Sequence, residues 1–257
     1  MNFLNQSCLS FLAFCLFCLV SFSPLNASDI VTFTAHPDYP PVSFVDKNTN
    51  ELKGVAVDLL KEALIKMGKK PKSIRIGTWA RAQEEVKLGR IDLLLPPYKT
   101  AEREEWLWFQ QSPILSDETS VFVVKNSTLK FTKLSDLKSK RGVAIIHDSF
   151  GPLFDQFDKT DLKMSRLATT EQCFKFLLKN RADFVVAGHL AGMQVLKKLN
   201  LEQSIVALPN RVIVTGMYVG ISKKSKNVNN QKFIEQLNKE IQNLIERGVH
   251  KELLKKY

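Results

Sequence analysis

The chain of 257 residues carries a formal net charge of +11 at pH 7 and is 44% hydrophobic, enough for a packed core in one large domain or two of ordinary size. The excess charge is mostly lysine scattered along the chain, so it forms no stripe of the kind that binds nucleic acid. It predicts a well-solvated surface with only a general attraction for anions or anionic membranes.

Residues 1–27 stand apart. Cys8 to Phe22 is a run of apolar and small residues, too short for a membrane span and the right length for a signal-peptide core. Asn26-Ala27 offers a small-residue cleavage site, which predicts export to the periplasm. No Lys or Arg precedes the apolar run, so an uncleaved anchor is the alternative. Phe14 ahead of Cys15 argues against a lipoprotein. Cleavage leaves Cys173 alone, without an internal disulfide partner. Its setting, TTEQCFKFLL, predicts a buried apolar cysteine.

Ile30–Ala35 reads as a buried strand, followed by a proline-rich loop from His36 to Phe44 in which helix is forbidden. The stretch from Gly54 opens a helix with Ala56, Leu59, Leu60, Ala63, Leu64 and Met67 on one face; Gly68 stops it. Ser73–Gly77 reads as a second strand, Trp79–Leu88 as a second helix and Ile91–Leu95 as a third strand. Strands alternating with helices predict a parallel α/β sheet with functional groups on the loops after the strands. Thr100 is placed as an N-cap, and Arg103 three residues later beside free backbone N–H groups. A guanidinium, a hydroxyl and N–H donors together suit a small carboxylate. The competing reading is a surface arginine paired with Glu102 or Glu104.

Pro113–Val124 reads as a crossing into a second lobe. There, Arg141–Ile146 is a strand, and His147–Gly151 a loop before a helix, where Ser149 serves either as ligand donor or as plain N-cap. Thr169 and Gln172 make a capping box. A strand ending at Val186 leads to an Ala187-Gly188-His189 loop. Ile205–Thr215 reads as two strands split at Pro209-Asn210, the return crossing. Tyr218–Ile221 is a short strand, Ser222–Asn230 a solvated loop and Phe233–Glu246 an amphipathic helix.

Several motifs now fall in order. Tyr39-Pro40-Pro41, Phe44, Gly54 and Asp58-Leu59 are followed by Trp79 and Gly89-Arg90-Ile91-Asp92. Thr100 and Arg103 lead to Phe109 and Ser112-Pro113, then Arg181 and Asp183, and Lys256-Tyr257 closes the chain. Together they resemble the bacterial extracellular solute-binding proteins of family 3, from Ile30 to Tyr257. The resemblance implies an α/β, two-lobed, type II periplasmic-binding-protein fold with a two-strand hinge. Lobe 1 is expected at 28–112 and 216–257, and lobe 2 at 118–210. It also implies a monomer that catches a small polar or anionic ligand in the interlobe cleft for an ABC transporter permease. In this family the Arg103 position holds a ligand carboxylate and an aromatic near Tyr39 packs on the ligand.

Departures from the family shape the expected site. Pro96 and Tyr98 stand where a glycine and a threonine usually bind the ligand. Gly188 stands where an aspartate usually takes its ammonium group. His36, His147 and His189 fall on candidate cleft loops, either satisfied by backbone or lining an anion or pH-sensitive site. The expected ligand set is Tyr39, Tyr98, Thr100, Arg103, Ser149, His147, His36 and His189. Being rich in donors and poor in acceptors, it favours an anion over a zwitterion. Asp38, Asp58 and Asp148 are the acids that could turn inward and reverse that preference. No nucleotide, serine-hydrolase or metal-ligand motif is present, so the expectation is no cofactor, no metal, no nucleic acid and no catalysis. Two alternatives remain on the same fold: an exported enzyme resembling cyclohexadienyl dehydratase, which needs an acid in the cleft, and a soluble sensory module.

Overall fold

The computed structural model describes residues 29–257, and the expected signal segment lies outside them. The first strand, β1 (Ile30–Ala35), falls where its sequence places it, with Val31, Phe33 and Ala35 wholly buried. Three short strands follow: β2 (Asp38–Tyr39), β3 (Ser43–Val45) and β4 (Leu52–Lys53), paired antiparallel into a small sheet of their own. Helix α1 (Val55–Lys66) starts at Gly54, whose φ of 123° favours glycine and whose missing Cβ leaves room for the Val42 carbonyl. Its apolar face packs into one core with β1 and with helix α7 (Gln231–Glu246), which a last helix, α8 (Val249–Lys256), follows. The end of the chain docks on the same helix, because Asp58 accepts from Lys256 (2.8 Å) and from the Tyr257 hydroxyl (2.7 Å).

The first large sheet runs β5-β1-β6-β13-β7. Here β5 is Lys70–Ser73, β6 Leu93–Leu95, β7 Leu107–Phe109 and β13 Gly220–Ser222. β5 and β6 flank β1 in parallel, while β13 lies antiparallel between β6 and β7. The expected strand at Ser73–Gly77 is displaced toward the N-terminus. The strand is a half-exposed edge of lysines, and the apolar Ile74 and Ile76 that suggested a strand instead pack against Trp79, Ala82 and Val86. Those three lie on α2 (Trp79–Lys87), capped by Thr78.

The second large sheet runs β10-β9-β11-β8-β12. Its strands are β8 (Leu115–Val124), β9 (Gly142–Ile145), β10 (Ser165–Leu167), β11 (Phe184–Gly188) and β12 (Ile205–Met217). Helices α4 (Pro152–Phe157), α5 (Thr170–Leu178) and α6 (His189–Lys198) belong to this half, and α5 and α6 share an apolar core with β9 and β11 that includes buried Cys173. The two strands expected between Ile205 and Thr215 are one strand. The chain absorbs Pro209-Asn210 as an irregularity, shifting register against β8 between Ala207 and Arg211 rather than breaking. The expected loop at 187–189 is also absent, since β11 runs to Gly188 and α6 starts at His189. The capping box at Thr169 is half formed: Thr169 accepts from Gln172 N, but the Gln172 side chain caps Ala168 N instead. The expected strand at Tyr218–Ile221 begins two residues later, as β13. The loop after it is tied inward by Ser225 and Val228, both buried, rather than fully solvated. Among the described residues no helix is long and apolar enough to cross a membrane.

The long antiparallel pair β8 and β12 leaves the second sheet and ends at Leu115 and Met217, inside the core of the first half. These two strands are the path by which the chain passes from one lobe to the other and returns. The cleft lies between the loops that follow β1 and β6 on one side and, on the other, the loop after β9 and the junction of β11 with α6.

Candidate functional site

The turn after β6 carries Pro96, Pro97 and Tyr98 into α3 (Ala101–Glu104). Thr100 caps α3 by accepting from Arg103 N at 3.3 Å. One turn of helix is too short to leave a row of free N–H groups, so Arg103 does not sit beside an open helix terminus as expected. Nor is it a surface residue. It is 4% exposed, and Glu104 is paired instead with Lys99 at 3.1 Å. The Arg103 guanidinium donates to Gln83 Oε1 (3.2 Å), to the Tyr98 carbonyl (3.1 Å) and across the cleft to the His147 carbonyl (3.3 Å). It lies 5.7 Å from the Trp79 ring centroid. Every one of these partners is neutral. Burial lowers its pKa while Asp148 and Asp155 oppose the shift, and a guanidinium stays charged through such changes.

Gln83 was not singled out by sequence. It accepts from Arg103 and donates to the His147 carbonyl at 3.1 Å, so it orients the guanidinium and joins the two lobes. Its position on α2, four residues past buried Trp79, was the available signal. Asp38 makes a further bridge, accepting from Thr170 N at 3.2 Å.

The histidines do not form one cluster. His36 is 4% exposed, its Nδ1 accepts from Asp38 N at 3.1 Å, and its ring lies between Tyr39 and Trp79. Burial, with Arg103 nearby, pushes its pKa down to about 3, so it is neutral. The His147 side chain is exposed, and it is the carbonyl that faces Arg103. His189 pairs with Ser120 Oγ at 3.0 Å and stacks on Phe122; burial lowers its pKa. Ser149 donates to Asp155 at 2.5 Å, while Gly151 is the residue that precedes α4, so Ser149 is neither the N-cap nor a free donor.

The expectation of a cleft poor in acceptors is overturned. Asp117, on β8, is 1% exposed and accepts from the hydroxyls of both Tyr39 and Tyr98, the latter at 2.5 Å. The two phenol oxygens are 2.8 Å apart. Burial pushes the Asp117 pKa up and both tyrosine pKa values well up. Asp148 is a second inward acid. Its pKa is pushed up to about 6 by burial, against the pull of Arg103 and Arg166. Of the other acids considered from sequence, Asp38 is spent on Thr170 and Asp58 on the chain terminus. Asp117 was legible: burial alternates along Leu115, Ser116, Asp117, Glu118 and Thr119, and the aspartate is in phase with the buried positions.

These groups line two adjoining spaces. The inner one is bounded by His36, Tyr39, Trp79, Pro96, Tyr98, Arg103 and Asp148 and is nearly filled by the aromatic rings. The outer one, about 130 Å³ and open to solvent, is lined by Gln83, Thr100, Arg103, His147, Asp148, Ser149, Asp155 and Arg166 among others. Among the described residues no group of three or more His, Cys, Asp or Glu is placed to hold a metal ion.

Two α/β lobes, two crossing strands and a polar cleft with a buried arginine define a type II periplasmic-binding fold. The chain belongs to the bacterial extracellular solute-binding proteins, family 3, whose model matches residues 31–257. Solved structures agree on the fold. A mutant of ArgBP from T. maritima is 21% identical with a TM-score of 0.74, covering 89% of this chain and 95% of that one. A histidine kinase sensor domain with similarity to periplasmic binding proteins is 18% identical with a TM-score of 0.75, at the same coverages. The amino acid ABC transporter substrate-binding protein AbpA from Streptococcus pneumoniae, bound to L-arginine, is 19% identical with a TM-score of 0.72, covering 89% and 94%. No curated protein sequence matches the chain.

Proposed function

We propose that the protein is exported, loses its N-terminal segment near Ala27, and works in the periplasm as a monomer. It captures a small polar solute bearing a carboxylate and delivers it to an ABC permease. The lobes meet at a hinge near 112–118 and 210–216. Arg103 anchors the carboxylate; Thr100, Tyr39, Tyr98, Gln83 and the 147–149 loop shape the rest of the site. The observation that carries this reading is Arg103 itself, a buried guanidinium in an interlobe cleft that holds only neutral oxygens. A buried charge with no ionic partner is costly, and an arriving carboxylate supplies one. The structural neighbours that bind amino acids support a ligand of that size.

The test is calorimetric titration of wild type and Arg103→Ala with a panel of amino acids and organic acids. A charge-assisted pair is worth about 1.5–3 kcal/mol, so the variant should bind at least about tenfold more weakly. Unchanged affinity would remove Arg103 from the site. A second reading draws support from Asp148, a carboxyl held near neutral beside an arginine, as an acid catalyst needs. Mass-spectrometric turnover of prephenate or arogenate, abolished in Asp148→Asn, would establish an enzyme in place of a carrier.

A further inference from the structure

Two neutral donors are buried at the floor of the cleft with nothing to donate to. The His36 ring accepts the Asp38 N–H on Nδ1 at 3.1 Å, so its own hydrogen sits on Nε2. That Nε2 is buried without a partner among the described residues. The same is true of Nε1 of Trp79, an N–H that can only donate. His36 is 4% exposed and Trp79 2%, so bulk water does not serve them. Their rings lie against each other, with centroids 4.9 Å apart, and both border the inner space. Buried N–H groups in folded chains are nearly always paired, so two orphans beside one space point to an acceptor that arrives there.

The space itself limits what that acceptor is. It measures about 10 Å³, room for a single oxygen-sized atom. Arg103 and Asp148 border both this space and the outer one, so a carboxylate held on Arg103 brings its neighbouring carbons to the opening between them. The two tyrosine hydroxyls on this wall are spent, because both turn to Asp117. Asp148 is the acceptor that remains, and with a pKa of about 6 it is largely ionised at neutral pH. An atom that satisfies all three groups has two lone pairs for the N–H donors and one hydrogen for the carboxylate. A hydroxyl has that pattern. A carbonyl lacks the hydrogen, an ammonium lacks the lone pairs and a methyl lacks both.

We infer that His36 Nε2 and Trp79 Nε1, together with Asp148, form a hydroxyl subsite, and that the ligand is a hydroxy acid. This rests on the carboxylate reading above and narrows it to one chemical class. A water molecule offers the same lone pairs and hydrogens, so a hydroxyl that displaces one loses nothing. An apolar group in the same place leaves all three groups unpaired.

The test is calorimetric titration with propionate, lactate and pyruvate, and with succinate and malate. In wild type at least one hydroxy acid should bind tenfold or more tightly than its plain partner, and lactate should outrank pyruvate, which brings no hydrogen for Asp148. In Trp79→Phe, which keeps a ring and loses the N–H, the ratio of hydroxy to plain acid should fall threefold or more. The indole N–H resonance of Trp79, assigned by its loss in that variant, should move when wild type is saturated with the hydroxy acid. No pair reaching tenfold, or pyruvate outranking lactate, overturns the inference and leaves the carboxylate reading standing. This arm needs no variant, so a misfolded Trp79→Phe does not shelter the idea. A folded Trp79→Phe that keeps the full ratio, or a resonance that stays still, also overturns it. If wild type binds none of these acids, both readings fall.

Discussion

Two buried aspartates, one in each half of the molecule's working parts, are treated in opposite ways. Asp92, 7% exposed, begins the run into β6. Its Oδ2 accepts from Thr32 N (2.9 Å), Thr32 Oγ (2.7 Å) and Asn227 Nδ2 (3.3 Å), and its Oδ1 from Ser225 Oγ (2.6 Å). Asp117 is buried more deeply, yet one of its oxygens is empty. Both oxygens of Asp92 are occupied by the chain's own donors, so it is a knot joining β1, β6 and the loop after β13. Asp117 keeps one oxygen in reserve. Burial alone does not separate structural from functional acids; the number of donors around each oxygen does.

Breaking the saturated knot should have the largest effect on stability. Asp92→Ala strands two hydroxyls, an amide and a backbone N–H. It should cost about 3–4 kcal/mol in urea unfolding, while folded molecules keep their ligand affinity. If the variant unfolds like wild type, the contrast between the two aspartates is lost.

Asp148 lies between the extremes, facing Arg103, Arg166 and Asp117, with its own Oδ1 accepting only from Ser149 N (3.2 Å). Its pKa is raised from 3.8 to about 6, so between those values the folded chain holds a proton that the unfolded chain releases. The contribution to stability is full below the lower value and is lost as pH rises through the upper one. Asp148→Asn should therefore stabilise the empty protein at pH 7 by at most about 3 kcal/mol and flatten its stability profile between pH 4 and 6. Thermal melts across that range would show it, and a variant less stable at pH 7 would contradict it.

The smallest change tests the space over Gly188. Gly188→Ala pushes a methyl group against the Tyr39 hydroxyl and Asp117 and should cost about 1–2 kcal/mol by overpacking. Adding Tyr39→Phe removes the colliding oxygen and should recover part of the loss in the same melts. No recovery would mean that the crowding lies elsewhere.

Much of this architecture was legible because it rests on local pattern. The strand at Ile30–Ala35 and the face of α1 follow directly from hydrophobic period. The motif aspartates at 58 and 92 were visible as letters, and the structure shows them tying the chain's end and the β1–β6 pair. What was missed depends on distant partners. Pro209-Asn210 reads locally as a break, but the partner strand β8 carries the chain through it. The three histidines read alike in sequence, but His36 is buried among rings, His147 is exposed on a turn and His189 opens α6. Asp117 could have been caught by alternation along its strand, yet its partners are 78 and 19 residues away.

Both Gln83 and Arg103 reach across the cleft to the same atom, the carbonyl oxygen of His147, a residue in the left-handed region at φ 58°. The latch is thus written in main-chain conformation and not in side-chain chemistry. Residue 147 is free to drift among glycine, asparagine and other residues that tolerate this backbone, and the lobes would still meet at the same point. In evolutionary terms, the closing contact is insulated from the substitutions that retune what the cleft accepts.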